Sequence, residues 1–238
     1  MNSTPLLRRL FAEFLGSAFL AATVIGSGIM AAQLSPGDTG LQLLENAAAT
    51  AAGLFTFILM FGPVSGAHFN PVVSVVDAAF GGLPWRYAFA YIPAQLAGCI
   101  AGAIVANLMF DLSAVSIATT HRASPSHLFA EVIATLGLLL VIFALARSGR
   151  GNLAPAAVGA YIGSAYFFTR STSFANPAID VGRMFSDTFA GIAPASVPAF
   201  VFVQLLGGLV GIAVIRALYP DLTSEEAAEV MLPHEQPA

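Results

Sequence analysis

The chain has 238 residues, 57% hydrophobic and only 9% charged, where a soluble globular domain carries roughly 25% charged residues. That excludes a water-facing surface over most of the molecule. A net charge of -4 with no basic run excludes a nucleic-acid footprint, and the single cysteine, Cys99, excludes an intrachain disulfide or a cysteine metal cluster.

In chain order, long apolar stretches predict membrane-spanning helices over about 10–33, 44–64, 85–109, 127–147, 153–169 and 195–217. Arg8 and Arg9 before the first stretch have the look of a signal peptide. The run is too long for one and carries Glu13, so it reads as a retained helix. Two shorter stretches follow Asn70 (71–81) and Asn176 (177–187). At 1.5 Å per residue each gives about 16 Å of helix, half of a ~30 Å hydrocarbon core, so both read as half-spans that return to the side they came from. On that path Arg8, Arg9, Arg86, Arg147, Arg150 and Arg216 fall on one side, Arg122 and Arg170 lie in the opposite loops, and Arg183 sits inside the second short helix. The positive-inside rule then makes both termini cytoplasmic, in a multi-pass protein of the inner (plasma) membrane. The stretch 218–238, with Glu225, Glu226, Glu229 and Glu235, reads as an acidic cytoplasmic tail behind a single domain, 1–217.

That domain repeats itself, about 8–110 against about 127–217. Ala12-Glu13 recurs as Ala130-Glu131, and Asn70-Pro71-Val72 recurs as Asn176-Pro177-Ala178. Gln95, Leu96, Gly98 and Gly102 match Gln204, Leu205, Gly207 and Gly211. Three spans and a half-span per copy place the second copy upside down, an inverted repeat with its site near the midplane. The glycines let helix backbones approach closely. A carboxyl group inside a span costs about 2.5–3.5 kcal/mol on insertion scales. The matched positions of Glu13 and Glu131 favour acceptors for the irregular backbone entering each short helix over a proton relay.

Asn is a good N-cap, and Pro suits the first helical position because its missing N–H would lack a partner there. Two such starts in an inverted repeat place two helix N-termini face to face, each worth about half a positive charge, and together they repel cations and protons. The strands before them, 65–69 and 171–175, are expected to line a wet cavity with their carbonyls, since irregular backbone survives at this depth only in protein or beside water. Gly66, Ala67, His68, Phe174 and Ala175 are the candidate lining residues.

With Ala-Glu-Phe-Leu-Gly at 12–16, Ser-Gly-Ala-His-Phe-Asn-Pro-Val-Val at 65–73 and Ser-Phe-Ala-Asn-Pro-Ala at 173–178, the sequence resembles the aquaporins, or major intrinsic proteins, over residues 8–217. The resemblance implies six spans plus two re-entrant half-helices in an all-α membrane fold. It also implies a passive channel for water or small uncharged solutes, one pore per subunit of a homotetramer, with no enzymatic activity, cofactor or metal. A water-selective channel and a coupled secondary transporter are the alternatives. His121, His127 and His234 form no ligand spacing.

The departure lies in the filter. Most aquaporins follow the second Asn-Pro-Ala with arginine, and here the residue is Ile179. Counting from the motifs without gaps, the other filter positions fall on Thr50, Ser164 and Ser173, so the resemblance implies a wide, weakly donating filter. Arg183, one turn beyond Ile179 on the same face, is open to two readings: a relocated filter, or a cation neutralised by Asp180 and Asp187. Its repeat mate, Asp77, is expected to be structural, and Arg170 is a weaker candidate for the mouth. The arginine-free opening and the run 182–191 look like the bacterial aquaporins associated with arsenic resistance, which implies metalloid hydroxides such as arsenite, or glycerol-like solutes, as permeants.

Overall fold

In the computed structural model, which describes residues 4–220, large apolar side chains cover much of the outside, and a set of polar side chains lies buried within an apolar core. Phe11, Phe89, Phe129, Phe202 and Leu209 are exposed, while Glu13, Glu131, Gln95 and Gln204 have no accessible surface. That distribution suits a lipid surround, where every buried polar group must find a partner within the protein.

The helices are α1 (Leu6–Leu34), α2 (Thr39–Ser65), α3 (Pro71–Phe80), α4 (Trp85–Met109), α5 (Pro125–Arg147), α6 (Ala154–Phe168), α7 (Pro177–Arg183) and α8 (Val197–Leu218), with no β-strand among the described residues; the strands before the two Asn residues are irregular, non-helical chain. By length and apolarity α1, α2, α4, α5 and α8, the last with its preceding 3-10 turn, can cross a membrane. The α6 helix has only 15 residues and follows directly on a 3-10 turn, Gly151–Leu153; together they reach roughly 28 Å.

The inverted repeat is visible in the packing: α1 packs most extensively on α4, and α5 on α8, the equivalent pair. Glycine makes both contacts possible. A Cβ at Gly98 or Gly102 would collide with the Phe14 or Ala18 carbonyl of α1, and one at Gly207 would lie 2.9 Å from the Val132 carbonyl of α5. The halves are joined by α2 against α6 and by α7 against α4, where a Cβ at Gly182 would stand 2.7 Å from the Cys99 carbonyl. Cys99 is a small buried residue at this crossing.

Three boundaries differ from the sequence expectation by four residues or more, the first being the start of α1 at Leu6 instead of 10. Asp38 caps α2 by accepting from the Leu41 N–H at 2.9 Å, so the helix starts earlier than 44. The α7 helix ends at Arg183, short of 187. Beyond it the Met184 and Phe185 carbonyls accept from Ala118 and Ser116 of the α4–α5 loop, tertiary bonds that replace the next helical turn. The acidic tail lies outside the described residues, apart from its first three positions.

Candidate channel site

Both Asn residues do what their spacing requires. The Asn70 side-chain oxygen accepts from the Val72 N–H at 3.0 Å, and that of Asn176 accepts from Ala178 at 2.9 Å and Ile179 at 3.4 Å. Pro71 and Pro177 occupy the first helical positions. Pro71, Val72, Pro177 and Ala178 are buried behind the Asn pair, outside the cavity lining. Each Asn amide also reaches across the pseudo-symmetry: Asn70 Nδ2 donates to the Ala175 carbonyl, and Asn176 Nδ2 to the Phe69 carbonyl, both at 2.7 Å. An amide has two N–H donors. One ties the two strands together and the second remains for the cavity, which both Asn residues line.

The strands preceding the Asn residues hold left-handed backbone at Ala67, Phe69, Thr172, Ser173 and Ala175, with φ between 47° and 63°. Non-glycine residues stay there only where their surroundings over-determine them. Ala67 and Ser173 donate their N–H groups to Ser65 and Ser171 Oγ at 3.1 and 3.3 Å, and Phe69 and Ala175 are held by the two buried carboxyl groups. Glu13 accepts from the His68 N–H at 3.0 Å, the Phe69 N–H at 2.7 Å, Ser65 Oγ at 2.6 Å and Gln95 Nε2 at 2.8 Å. Glu131 accepts from the Phe174 N–H at 2.9 Å, the Ala175 N–H at 2.7 Å and Gln204 Nε2 at 2.7 Å. Each Glu thus serves the two residues before the Asn of its own repeat. Neither lines the cavity.

The cavity, about 80 Å3, is well above the roughly 10–15 Å3 needed to hold a water. Gly66, Ala67, His68, Ser173, Phe174 and Ala175 line it alongside the Asn pair, and Leu20, Val24, Leu54, Ile142 and Val158 are among its apolar lining. His68 is turned into the protein by contacts from its Nδ1 to Ser74 Oγ at 2.9 Å and from its Nε2 to Asp77 at 3.5 Å.

At the end carrying α7, Thr50, Ser173, Ile179 and Arg183 all line the cavity. Ser164 does not. It is exposed on α6 and its hydroxyl donates to the Tyr161 carbonyl at 2.8 Å. The lining residues of that helix are Ala154, Val158, Ile162 and Tyr166, one per turn, and Ser164 stands two residues, roughly 200°, away from them. The ungapped count therefore lands on the wrong face. Tyr166, its hydroxyl 3.2 Å from Thr50 Oγ1, puts an aromatic at this end of the cavity, where the sequence count has none; the repeated spacing of four through Val158 and Ile162 was its available signal.

Arg183 is 3% exposed, and its guanidinium makes no direct ion pair with either predicted acid. Asp180 accepts from Gln204 Nε2 at 3.2 Å, and Asp187 accepts from the Thr119 N–H and hydroxyl at 2.9 and 3.0 Å. Arg183 instead donates through Nε to the Ala190 carbonyl and lays its guanidinium on the Phe174 ring, 3.4 Å from the centroid. Arg170 is exposed and outside the lining. Arg122, which the sequence placed only in a loop, lies 5.5 Å from the same ring and donates to the Gly191 carbonyl at 2.8 Å and the Phe189 carbonyl at 3.1 Å. Among the described residues no group of three or more His, Cys, Asp or Glu could hold a metal ion.

Comparison with known proteins agrees with this architecture. The chain is 46% identical to the aquaglyceroporin AqpS of Rhizobium meliloti (strain 1021), over 92% of this chain and 93% of the relative. It is 33% identical to a glycerol uptake facilitator protein of Streptococcus pneumoniae (strain ATCC BAA-255 / R6), over 74% of this chain and 82% of that one. The X-ray structure of the aquaglyceroporin from Plasmodium falciparum superposes with a TM-score of 0.68 at 23% identity, covering 92% and 97% of the two chains, a likeness of fold. With a family model matching residues 1–185 as well, the chain belongs to the major intrinsic protein family.

Proposed function

We propose that this protein is a passive channel for small uncharged solutes, passing glycerol-like polyols and neutral metalloid hydroxides such as arsenite, with water as a lesser permeant. The observation that carries the reading is the filter end of the cavity: Ile179 stands where most of the family has arginine, and the guanidinium sits one turn outward, held at Arg183 by Ala190 and Phe174. A solute with several hydroxyls finds donors at Arg183 and Asn176 and hydroxyl partners at Thr50 and Ser173, with Ile179 and Leu54 for its less polar side. Ser173 Oγ is buried with no protein partner, which suits it to a passing hydroxyl. The relatives named aquaglyceroporin and glycerol uptake facilitator favour the same class. The functional unit is a homotetramer in the inner membrane with cytoplasmic termini.

A coupled transporter would need an ionisable pair facing its substrate. Here Glu13 and Glu131 are occupied by backbone and stand outside the lining. The test is stopped-flow light scattering on proteoliposomes with water, glycerol and arsenous acid. Glycerol and arsenous acid should both pass well above empty vesicles, at a rate set by the solute gradient and indifferent to an imposed proton or sodium gradient. Water flux alone, with neither solute above control, would leave a water-selective channel.

A further inference from the structure

Three consecutive carbonyls are held by two arginines. Phe189 and Gly191 each accept from Arg122, at 3.1 and 2.8 Å, and Ala190 between them accepts from Arg183. Both guanidinium groups also approach Phe174, Arg183 at 3.4 Å and Arg122 at 5.5 Å from the ring centroid, and that ring rests edge-on against Phe200, centroids 5.3 Å apart. Arg122 is in turn fixed by its backbone N–H, which donates to Ser196 Oγ at 3.0 Å. Two residues before it, the Thr120 carbonyl accepts from the Ala193 N–H at 2.8 Å. The segment 189–191 lies in no helix or strand; the Gly191 N–H donates to the Thr188 carbonyl at 2.9 Å and the Ile192 N–H to the Arg183 carbonyl at 3.4 Å, and the Arg122 fork grips the carbonyls on either side of Ala190.

We propose that Arg122 is a positioning residue for the outer filter: by clamping the Phe189 and Gly191 carbonyls it fixes the Ala190 carbonyl, and so sets where Arg183 presents its remaining donors to the lumen. The α4–α5 loop is then part of the selectivity apparatus rather than a passive connection. The proposal rests on the reading of Arg183 as a filter donor. The clamp requires a planar fork that can address two acceptors at once. Arginine supplies it and lysine, a point charge with rotating donors, does not. Without the clamp, Arg183 loses a fixed placement, and the filter discriminates less between polyols of different size.

The test uses the full chain in proteoliposomes and compares erythritol with glycerol permeability for wild type, Arg183→Gln, Arg122→Gln, Arg122→Lys and the double variant Arg122→Gln/Arg183→Gln. Arg183→Gln should raise the erythritol-to-glycerol ratio. Arg122→Gln should raise it in the same direction by about threefold, and the double variant should go no further than Arg183→Gln, since coupled neighbours are not additive. Arg122→Lys, which keeps the charge, should also fail to restore the wild-type ratio; it decides the matter by itself if Arg122→Gln does not accumulate in folded form. A wild-type ratio in Arg122→Gln or Arg122→Lys beside a shifted Arg183→Gln would overturn the positioning role and leave the filter reading standing, as would additivity in the double variant. An unshifted Arg183→Gln would remove the filter reading itself, and the clamp with it.

Discussion

Asn176 donates through Nδ2 to the carbonyl of Phe69 at 2.7 Å, across 107 residues of chain and between the two inverted halves. The bond makes the second Asn a strut for the first strand, and Asn70 returns the favour at Ala175. Asn176→Asp keeps the oxygen that caps α7 but turns the strut into an acceptor facing an acceptor, and it adds negative charge where two helix N-termini meet. The expected outcome is a large loss of glycerol flux together with a new cation leak. Stopped-flow measurements paired with a potassium-release assay on the same vesicles check both.

Glu13 accepts two backbone N–H groups, a hydroxyl and an amide. Glu13→Gln has nearly the same shape but replaces one acceptor oxygen by an NH2 that must point at a donor. A buried donor left without its acceptor costs about 1–3 kcal/mol, and for a chain of this size that corresponds to a fall in melting temperature of roughly 5 °C. Glu131→Gln should behave alike because it holds the equivalent residues Phe174 and Ala175. Differential scanning fluorimetry in detergent checks the pair, and a much smaller effect at either position would count against the bracing role.

What the sequence made legible is what depends on local signals or on the duplication. Asn-Pro marked both short helices, the length and apolarity of the spans set the order of helices, and the matched Glu positions pointed to the strands beside them. What it concealed depends on distant contacts. The end of α7 is fixed by carbonyls bonding to a loop more than 60 residues earlier in the chain, and Arg122 meets Arg183 through the fold of segment 189–191 and over the Phe174 ring. Ser164 shows a third kind of limit. A helix turns 100° per residue, so a two-residue error in an ungapped count reverses the face, and only a fit to the lining period of Val158, Ile162 and Tyr166 would have corrected it.

The reassignment on α6 can be checked directly. Ser164→Ala removes a hydroxyl that bonds within its own helix on an exposed face, so water, glycerol and arsenous acid fluxes should all stay at wild-type values. Tyr166→Phe removes the hydroxyl that meets Thr50 Oγ1 in the cavity. Thr50 then loses its partner at the filter and the relative fluxes of glycerol and water should change. The reverse pattern, an effect at Ser164 and none at Tyr166, would restore the count made from sequence.

Ile179→Arg puts a guanidinium back where most of the family has one. In this chain it would stand one turn, about 6 Å, from Arg183 on the same helix. Two effects then act together. The added side chain fills a position that now lines the cavity with isoleucine, which narrows the passage for any solute larger than water, and the second cation repels the first from the site that Ala190 and Phe174 provide. Flux of erythritol should fall most, glycerol and arsenous acid less and water least, a ranking readable in one stopped-flow series. Combining Ile179→Arg with Arg183→Gln removes the repulsion while keeping the bulk. Glycerol flux should recover partly in that double variant if Arg183 occupies the lumen as found, and it should fall further if the two positions act independently.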